Sequence, residues 1–398
     1  MVDIREYLRE FIRQERDILL GLSVDITGLF AGFTATLLLP YLSKVEWILL
    51  VIPILLTVRG AVNGVFSGRL TTSLHLGVIY PHLYKNTIEY YSLLASVFFL
   101  GIMNGLIASF IIGIYLWDPT KFLISSIVIV TLFFIATTFS LLVTSLVGFL
   151  AFRSGLDPDV IVYPIMSTTN DVFGSLFLLV VIILLEPWNP INCLIRGAPV
   201  IALVALLLAI ILKKYWEMSV FRKTLTESYM GVIFSLILSS LAGYVLSLLK
   251  DKIIIFPGIL VALPAMMDTI GDVGSIIAST ITTKLHIGEI MPDYTSKNFL
   301  RILIQQSLPV ILPMIFLVLL YAGLASFMTR LSLVDFPFLL MIYSITGIIA
   351  YCAISVLALA IAIITFRYGI DPDNVSIPII TATADLLTVT TVYLIVSV

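Results

Sequence analysis

Five aspartates lie within long apolar stretches of this sequence, where ionised side chains are rare. They are Asp25, Asp171, Asp268, Asp272 and Asp385. Inside a membrane, a charged side chain near a helix centre costs about 2.5–3.5 kcal/mol to insert, so such residues mark ion pathways or proton relays. Arg59 is the single strong base in these stretches. Because the acids outnumber the base, we expect a cation to enter this part of the protein.

Asp171 and Asp385 stand in the same local pattern. Each follows a hydroxyl residue by four positions, Ser167 or Thr381, and a proline by seven. Spacings of four and seven place these groups on one face of a helix. Carboxylate, hydroxyl and carbonyl oxygens suit a hard divalent cation, and Mg²⁺ usually binds one or two carboxylates while keeping several waters. The pattern therefore predicts metal ligands; the alternative is a pair of protonated or hydrogen-bonded aspartates that hold helices together.

The second apolar stretch of each half adds polar residues to this prediction. Asp268 and Asp272 are four residues apart and share a helix face, and the first half has Arg59 and Asn63 in the same region. Small residues recur around them, which favours close helix packing or an unwound segment whose carbonyls face an ion path. One interpretation is that Arg59 neutralises Asp268 or Asp272. The predicted metal ligands are Asp171, Asp385, Asp272, Asp268, Asn63, Ser167, Thr381 and Asn170.

Composition indicates that these residues belong to a membrane protein. Of the 398 residues, 60% are hydrophobic and 12% are charged, against roughly 45–50% and about 25% in soluble domains. Apolar runs long enough to cross a bilayer recur along the whole chain. We therefore predict an all-α polytopic membrane protein in the lipid bilayer, with no sizeable soluble domain. The eleven predicted spans are 18–39, 46–68, 92–116, 122–150, 160–185, 196–212, 228–249, 253–279, 303–328, 336–365 and 375–398.

Charged residues between the predicted spans indicate the orientation. With the N-terminus inside, the inner segments carry 15 Lys and Arg residues and the outer segments carry 6, and positive charge favours the cytoplasmic side. We expect a cell-membrane protein with a cytoplasmic N-terminus and an external C-terminus. Residues 1–17 carry arginines at helical spacing, which predicts an amphipathic helix at the cytoplasmic surface. The net charge of −2 gives no reason to expect a nucleic-acid partner.

The sequence contains an internal duplication. Residues 152–159 return 214 positions later as 366–373, with Phe, Arg, Gly, Asp, Pro and Asp in the same order. Residues 71–77 return 211 positions later as 282–288. Because chance does not align two separated blocks at nearly the same offset, we interpret the two halves as copies of one unit.

The duplication predicts how the spans are organised. We expect two tandem five-helix units, 18–190 and 214–398, joined by a connecting transmembrane helix within 191–213. The connector gives both units the same orientation, so the expected symmetry is a pseudo-two-fold axis along the membrane normal. Such an axis would let Asp171 and Asp385 face each other at the interface of the repeats.

At these residues the sequence resembles the MgtE-type magnesium transporters, and more closely their solute-carrier relatives with a duplicated five-helix domain. One motif of that family is a stretch similar to Gly-Asn-Ala-Gly-Ser-Gln in the second helix. Residues 271–275 follow it with Asp272 at the Asn position, and residues 60–64 follow it poorly.

A second motif of the family lies in the fifth helix and reads Pro-x-x-Thr-x-x-x-Asp-x-x-Gly. Residues 164–174 match it with Ser167 in place of Thr. Residues 378–388 match it with Thr388 in place of the final Gly. The regions of both motifs stand in the same order in each half, although the second-helix motif is poorly matched in the first, so the resemblance covers essentially the whole chain.

The resemblance implies a transporter of divalent cations, with Mg²⁺ as the transported ion and no enzymatic activity. It implies a path lined by the second and fifth helices of each unit, in which the fifth-helix aspartates bind Mg²⁺. Bacterial members are homodimers with cytoplasmic sensor domains. Here we expect the duplication to replace the dimer, so that one chain acts as a monomer, and we expect no sensor domain. Na⁺ and H⁺ are the candidate coupling ions.

Three alternatives remain open. Mn²⁺, Co²⁺ or Zn²⁺ could replace Mg²⁺ as substrate, because carboxylate sites distinguish these metals poorly. An intramembrane aspartyl protease would also use two aspartates that share a proton, but its Gly-x-Gly-Asp motif lacks the first Gly in residues 269–272. The third alternative is a membrane scaffold without transport, which does not explain why acidic residues are retained in the middle of the membrane.

Overall fold

A computed structural model gives the fold of the chain. It describes residues 15, 18–19, 22–156, 158–286, 288, 296–330, 335–367 and 372–397. Across this described part the secondary structure is helical and contains no strand, which confirms the predicted all-α class. The amphipathic helix predicted at 1–17 lies outside the described residues, apart from Glu15.

Twelve α-helices form within the described residues, and two short 3₁₀ segments, Ser23–Thr27 and Leu39–Tyr41, flank the first of them. The twelve helices are α1 Gly28–Thr36, α2 Ile48–His75, α3 Ile88–Leu116, α4 Pro119–Arg153, α5 Pro158–Leu184, α6 Pro190–Tyr215, α7 Ser219–Leu248, α8 Lys250–Ile255, α9 Gly258–His286, α10 Ser296–Met328, α11 Phe336–Arg367 and α12 Pro372–Ser397.

Capping side chains determine where three of these helices begin. Thr87 precedes α3 and its hydroxyl accepts a hydrogen bond from the Tyr90 amide. Asp118 precedes α4 and accepts from the amides of Thr120 and Lys121. Asn189 precedes α6 and accepts from the backbone amide three residues later. Each cap satisfies amides that the first turn of a helix leaves without partners.

Eleven helical segments of the described chain are long and apolar enough to cross a membrane, as the sequence predicts. The bounds of the spans differ from the predicted ones by several residues, and two spans also differ in their secondary structure. The first runs over 23–41 and contains 3₁₀ turns at both ends of α1. The span predicted at 253–279 is divided, because α8 ends at Ile255 and α9 begins at Gly258. Pro257 lies between them, and a proline disfavours helical geometry in the residue before it.

The chain divides into two compact units. Unit I comprises Leu37–Ser247. Within it α2 packs against α3, α4 and α5, and 78% of the most apolar window of α2 is buried. Helix α6, the predicted connector, packs on α3 and α4, but only 17% of its window is buried. Helix α2 is therefore the central helix of unit I, and most of the apolar window of α6 is left uncovered by the described helices of that unit.

Unit II comprises Met1–Thr36 together with Leu248–Val398. Within its described part α9 packs against α1, α10, α11 and α12, and 78% of the most apolar window of α9 is buried. Helix α9 is the repeat counterpart of α2, so the second helix of each repeat forms the centre of a unit.

The units are not identical to the sequence repeats, because each repeat places its first helix in the other unit. The chain passes between units at residues 36 and 247, which differ by the repeat offset of 211. Helix α1 of the first repeat packs in unit II against α9. The second half of α7, the counterpart of α1, lies in unit I with α2.

Two equivalent glycines permit this exchange of first helices. A Cβ atom at Gly32 would lie 2.1 Å from the carbonyl oxygen of Val261 in α9. A Cβ atom at Gly243 would lie 2.3 Å from the carbonyl oxygen of Leu50 in α2. Small residues let membrane helices approach at backbone distance, and here the same contact is made once in each unit.

We expect Gly32→Ala and Gly243→Ala to lower the free energy of unfolding by about 1–3 kcal/mol each, because overpacking forces the backbone to shift. Thermal melting of the purified protein in detergent measures the effect. Gly68→Ala is the matched control, since a Cβ atom there meets nothing within 4 Å. If Gly32→Ala melts at the temperature of the control, the close contact does not stabilise unit II.

Candidate cation site

The two fifth-helix aspartates lie at the midpoints of their helices. Asp171 is thirteen residues from each end of α5, and Asp385 is thirteen residues from the start of α12. Both carboxylates are buried, with 7% of each residue exposed. Asp171 belongs to unit I and Asp385 to unit II. Each unit therefore has one buried carboxylate halfway along its fifth helix.

In unit I, Asp171 forms a buried ion pair with Arg59 of α2. The distance from Nη2 of Arg59 to Oδ1 of Asp171 is 3.4 Å, and the two side chains are 4% and 10% exposed. This pair was not predicted from the sequence, which suggested Asp268 or Asp272 as the partner of Arg59. Removing either partner would leave the other charge in a desolvated site, which is strongly unfavourable.

Gly174 makes room for the guanidinium group. It lies one turn after Asp171 on α5, and a Cβ atom at this position would be 2.0 Å from Nη1 of Arg59. A side chain at Gly174 would therefore displace the guanidinium group from the position that it has in the first repeat. Thr388 in the second repeat, which departs from the motif, is the one signal in the sequence that could have suggested this pairing.

Asn63, a predicted ligand, is held by two hydroxyl groups of α4. Its Oδ1 atom accepts hydrogen bonds from Ser140 Oγ at 3.1 Å and from Thr144 Oγ1 at 2.7 Å, and all three residues are buried. Arg59, Asn63 and Ser140 also line a small internal cavity between α2, α3 and α4. The amide oxygen of Asn63 therefore connects α2 to α4 beside the ion pair.

Asn170 is buried on α5 next to Asp171. It is 1% exposed, and neither its amide oxygen nor its amide nitrogen has a hydrogen-bond partner within the described part of the chain. A buried amide normally finds partners. Asn170 is therefore a predicted ligand whose hydrogen-bonding groups are not used by the described residues. Ser167, one turn before Asp171, is half-buried.

In unit II, glycines of α9 bring the fifth helix close to the second. A Cβ atom at Gly271 would lie 3.4 Å from Cγ2 of Thr381, and one at Gly274 would lie 2.5 Å from Cγ2 of Ile380. This approach brings the helix with Thr381 and Asp385 against the helix that carries Asp268 and Asp272. The two α9 aspartates are half-buried. The structure thus places four predicted ligands on one pair of packed helices.

Asp25, to which the sequence assigned no role, lies in the same unit. Its Oδ2 atom accepts a hydrogen bond of 2.9 Å from Thr269 Oγ1, and the Tyr321 hydroxyl is 2.8 Å from the same Oγ1. Because the single hydroxyl proton of Thr269 goes to Asp25, Tyr321 donates to Thr269. All three residues are buried. Asp25, Asp268, Asp272 and Asp385 all belong to unit II, so this unit has four of the five aspartates.

The carboxylates do not form a compact cage. Among the described residues, no three His, Cys, Asp or Glu side chains converge closely enough to hold a metal ion by themselves. A cation bound by these aspartates would therefore take part of its coordination from hydroxyls, backbone carbonyls or water. That requirement suits an ion that retains part of its hydration shell.

Comparison with known proteins gives one family and two similar proteins. The sequence profile of the MgtE family, described as "Divalent cation transporter", matches residues 52–181 and 263–395. The chain is 26% identical to solute carrier family 41 member 3 of Mus musculus, over 94% of this chain and 81% of that protein. It is 24% identical to solute carrier family 41 member 2 of Xenopus laevis, over 94% and 71%. No solved structure matches the chain.

Proposed function

Because this chain belongs to the MgtE family of divalent cation transporters, we propose that the ion it moves across the membrane is Mg²⁺. The two matched segments cover more than half of the sequence, one in each repeat. The protein is therefore a multi-pass membrane transporter of divalent cations and not an enzyme, which removes the aspartyl protease as an alternative.

The observation that carries the proposal is the pair of buried carboxylates at the midpoints of α5 and α12, Asp171 and Asp385. Burying charge at this depth is expensive, and such residues are retained where ions pass. We propose that the path follows the second and fifth helices of the repeats. We propose as the residues along it Asp171, Asp385, Asp272, Asp268, Asn63, Ser167, Thr381 and Asn170.

The chemistry of these residues supports Mg²⁺ over softer metals. Their side chains offer carboxylate, hydroxyl and amide oxygens, whereas Zn²⁺ and Co²⁺ are better served by histidine nitrogen or cysteine sulfur. Since no described cluster supplies three acidic, histidine or cysteine ligands together, the bound ion keeps water molecules. Mg²⁺ loses its water reluctantly and is usually bound by one or two carboxylates. Partial hydration also keeps binding weak enough for release.

The repeats and the charge distribution support three further proposals about transport. We propose that one chain is sufficient for transport, because its two repeats supply both copies of the five-helix unit. The excess of Lys and Arg on one side supports a cytoplasmic N-terminus and an external C-terminus. Na⁺ and H⁺ are the ions we propose for coupling, since each is a cation that acidic residues attract.

The purified protein in liposomes tests the substrate. We expect an indicator inside the vesicles to report Mg²⁺ uptake above that of protein-free liposomes, because the carboxylates compensate the ion for lost water. The same vesicles are then measured with Mn²⁺, Co²⁺ and Zn²⁺ as competitors, and with a Na⁺ gradient or a pH gradient imposed.

Two results would contradict the proposal. Absence of Mg²⁺ uptake under every gradient would remove Mg²⁺ as the substrate. Uptake of Mn²⁺ or Co²⁺ that Mg²⁺ does not inhibit would assign the protein to another divalent ion within the same family function.

A further inference from the structure

The two repeats differ at the positions that form the buried ion pair. Arg59 of α2 corresponds to Ile270 of α9 at the offset of 211, and Gly174 of α5 corresponds to Thr388 of α12 at the offset of 214. Arg59, which carries the guanidinium group, and Gly174, which makes room for it, are therefore both replaced in the second repeat. The carboxylate itself is kept, as Asp171 in one repeat and Asp385 in the other.

In unit I the guanidinium group supplies a permanent cation. Arginine keeps its charge under all ordinary conditions, and Nη2 of Arg59 lies 3.4 Å from the Asp171 carboxylate at a site that is almost fully buried. The group is covalently attached, so it is not exchanged for an ion from solution. Gly174 permits this position, since a Cβ atom there would lie 2.0 Å from Nη1.

At the corresponding positions unit II has an isoleucine and a threonine. Ile270 is fully buried, and so is Thr388. The Oγ1 atom of Thr388 has no hydrogen-bond partner within the described residues. Thr388 lies three residues after Asp385, so the two side chains share a face of α12. This buried hydroxyl stands at the repeat position of Gly174, against which the guanidinium group lies in unit I.

The polar residues around the ion pair of unit I are also replaced in unit II. The hydrogen-bonded set in unit I, Asn63 with Ser140 and Thr144, corresponds to Gly274, Ile354 and Ala358. A Cβ atom at Gly274 would lie 2.8 Å from Cγ1 of Ile354, so apolar side chains fill this region. Unit II, which has no arginine at the corresponding position, therefore also lacks the polar residues that lie near Arg59 in unit I.

The two units differ in their number of intramembrane aspartates and arginines. Unit I pairs its one intramembrane aspartate with the one intramembrane arginine, whereas Asp25, Asp268, Asp272 and Asp385 all belong to unit II. We propose, resting on the proposed function, that Arg59 is a built-in cation that closes the unit I site to metal ions. Of the residues proposed along the path, Asp171, Asn63, Ser167 and Asn170 then line it without binding the ion. The transported divalent ion then binds in unit II, with the Asp385 carboxylate and the Thr388 hydroxyl among its ligands, and each chain binds one ion at this depth.

Transplanting the pair from unit I into unit II tests the proposal. In Ile270→Arg/Thr388→Gly, a guanidinium group is expected to settle beside Asp385 and to exclude the transported ion. We expect Mg²⁺ flux to fall at least about 100-fold, because a like charge placed in a binding site strongly opposes the ion. Ile270→Met/Thr388→Gly is the matched control without the charge. Its flux measures the loss of the hydroxyl alone and is expected to exceed that of the arginine variant at least about tenfold, since the repulsive charge is missing.

Counting bound ions gives a second and independent measurement. Mn²⁺ serves as a paramagnetic probe, and its electron paramagnetic resonance signal distinguishes free from bound ion. We expect one tightly bound Mn²⁺ per wild-type chain. The reciprocal variant Arg59→Ile/Gly174→Thr, in which unit I receives the residues of unit II, is expected to bind two.

The outcomes separate this inference from the proposed function. If wild-type liposomes take up no divalent cation, the proposed function fails first. If the wild type transports and the folded Ile270→Arg/Thr388→Gly variant transports at the rate of its methionine control, the built-in cation is refuted. Two bound Mn²⁺ ions per wild-type chain would refute it even if a variant does not fold.

Discussion

We expect Asp385→Asn to reduce Mg²⁺ flux by roughly 30-fold to several thousand-fold, since removing one partner of a buried charge interaction costs about 2–5 kcal/mol and each 1.4 kcal/mol is tenfold. Asp385 is 7% exposed and lies at the midpoint of α12. The amide keeps the size of the carboxylate, so the helix packing around it is retained while the charge is lost. Initial uptake rates in liposomes, with equal amounts of folded protein, measure the effect.

Asp251→Asn is the matched control for this prediction. Asp251 belongs to the same unit but is exposed in the short helix α8. Neutralising it removes one negative charge from unit II without touching the buried helices, so its flux should equal that of the wild type. If Asp385→Asn transported Mg²⁺ at the rate of the control, the buried carboxylate would be a structural group and the proposed ion site would be wrong.

The second large effect concerns stability. We expect Arg59→Met to lower the free energy of unfolding by about 3–5 kcal/mol, because breaking a buried ion pair leaves an uncompensated charge. Methionine fills a similar volume, so the loss reports the charge and not a cavity. Thermal melting of the detergent-purified protein measures it. The double variant Arg59→Met/Asp171→Asn should recover part of the loss, since it removes the carboxylate that Arg59→Met leaves behind.

An exposed ion pair in unit I provides the comparison. Arg69 of α2 pairs with Glu227 of α7, and these side chains are 27% and 52% exposed. Arg69→Met should change the free energy of unfolding by only about 0–1 kcal/mol, as is usual for ion pairs open to solvent. Equal losses for Arg59→Met and Arg69→Met would show that burial does not strengthen the Arg59–Asp171 pair.

The exchange of first helices between the units places Asp25 of the first repeat in unit II. Asp25 comes from the first repeat, yet it hydrogen-bonds to Thr269 and lies in unit II with Asp268, Asp272 and Asp385. Its counterpart in the second repeat is Leu236, so unit I receives no such acid from α7. The two units therefore differ in charge even though each is assembled from equivalent helices.

The sequence by itself determined the membrane class, the duplication and the family. Hydropathy is a local property of each stretch, and eleven spans follow from it directly. The repeated blocks around 152–159 and 71–77 identify the two halves without any three-dimensional information. Asp171 and Asp385 stand out because an acid in an apolar helix is conspicuous at the level of a single residue. These conclusions need only short stretches of sequence, read singly or compared with one another.

The tertiary structure alone decided which residues meet across the chain. Arg59 and Asp171 are 112 residues apart, and Thr269 and Asp25 are 244 apart. Neither pairing leaves a periodic signal, because the partners lie on different helices and each helix pattern reports only its own faces. The exchange of α1 and the end of α7 between the units cannot be predicted from hydropathy either. Both helices are apolar, so their hydropathy does not indicate the unit in which each one packs. The exchange depends on close backbone contacts at Gly32 and Gly243, and such contacts exist only once the helices have packed.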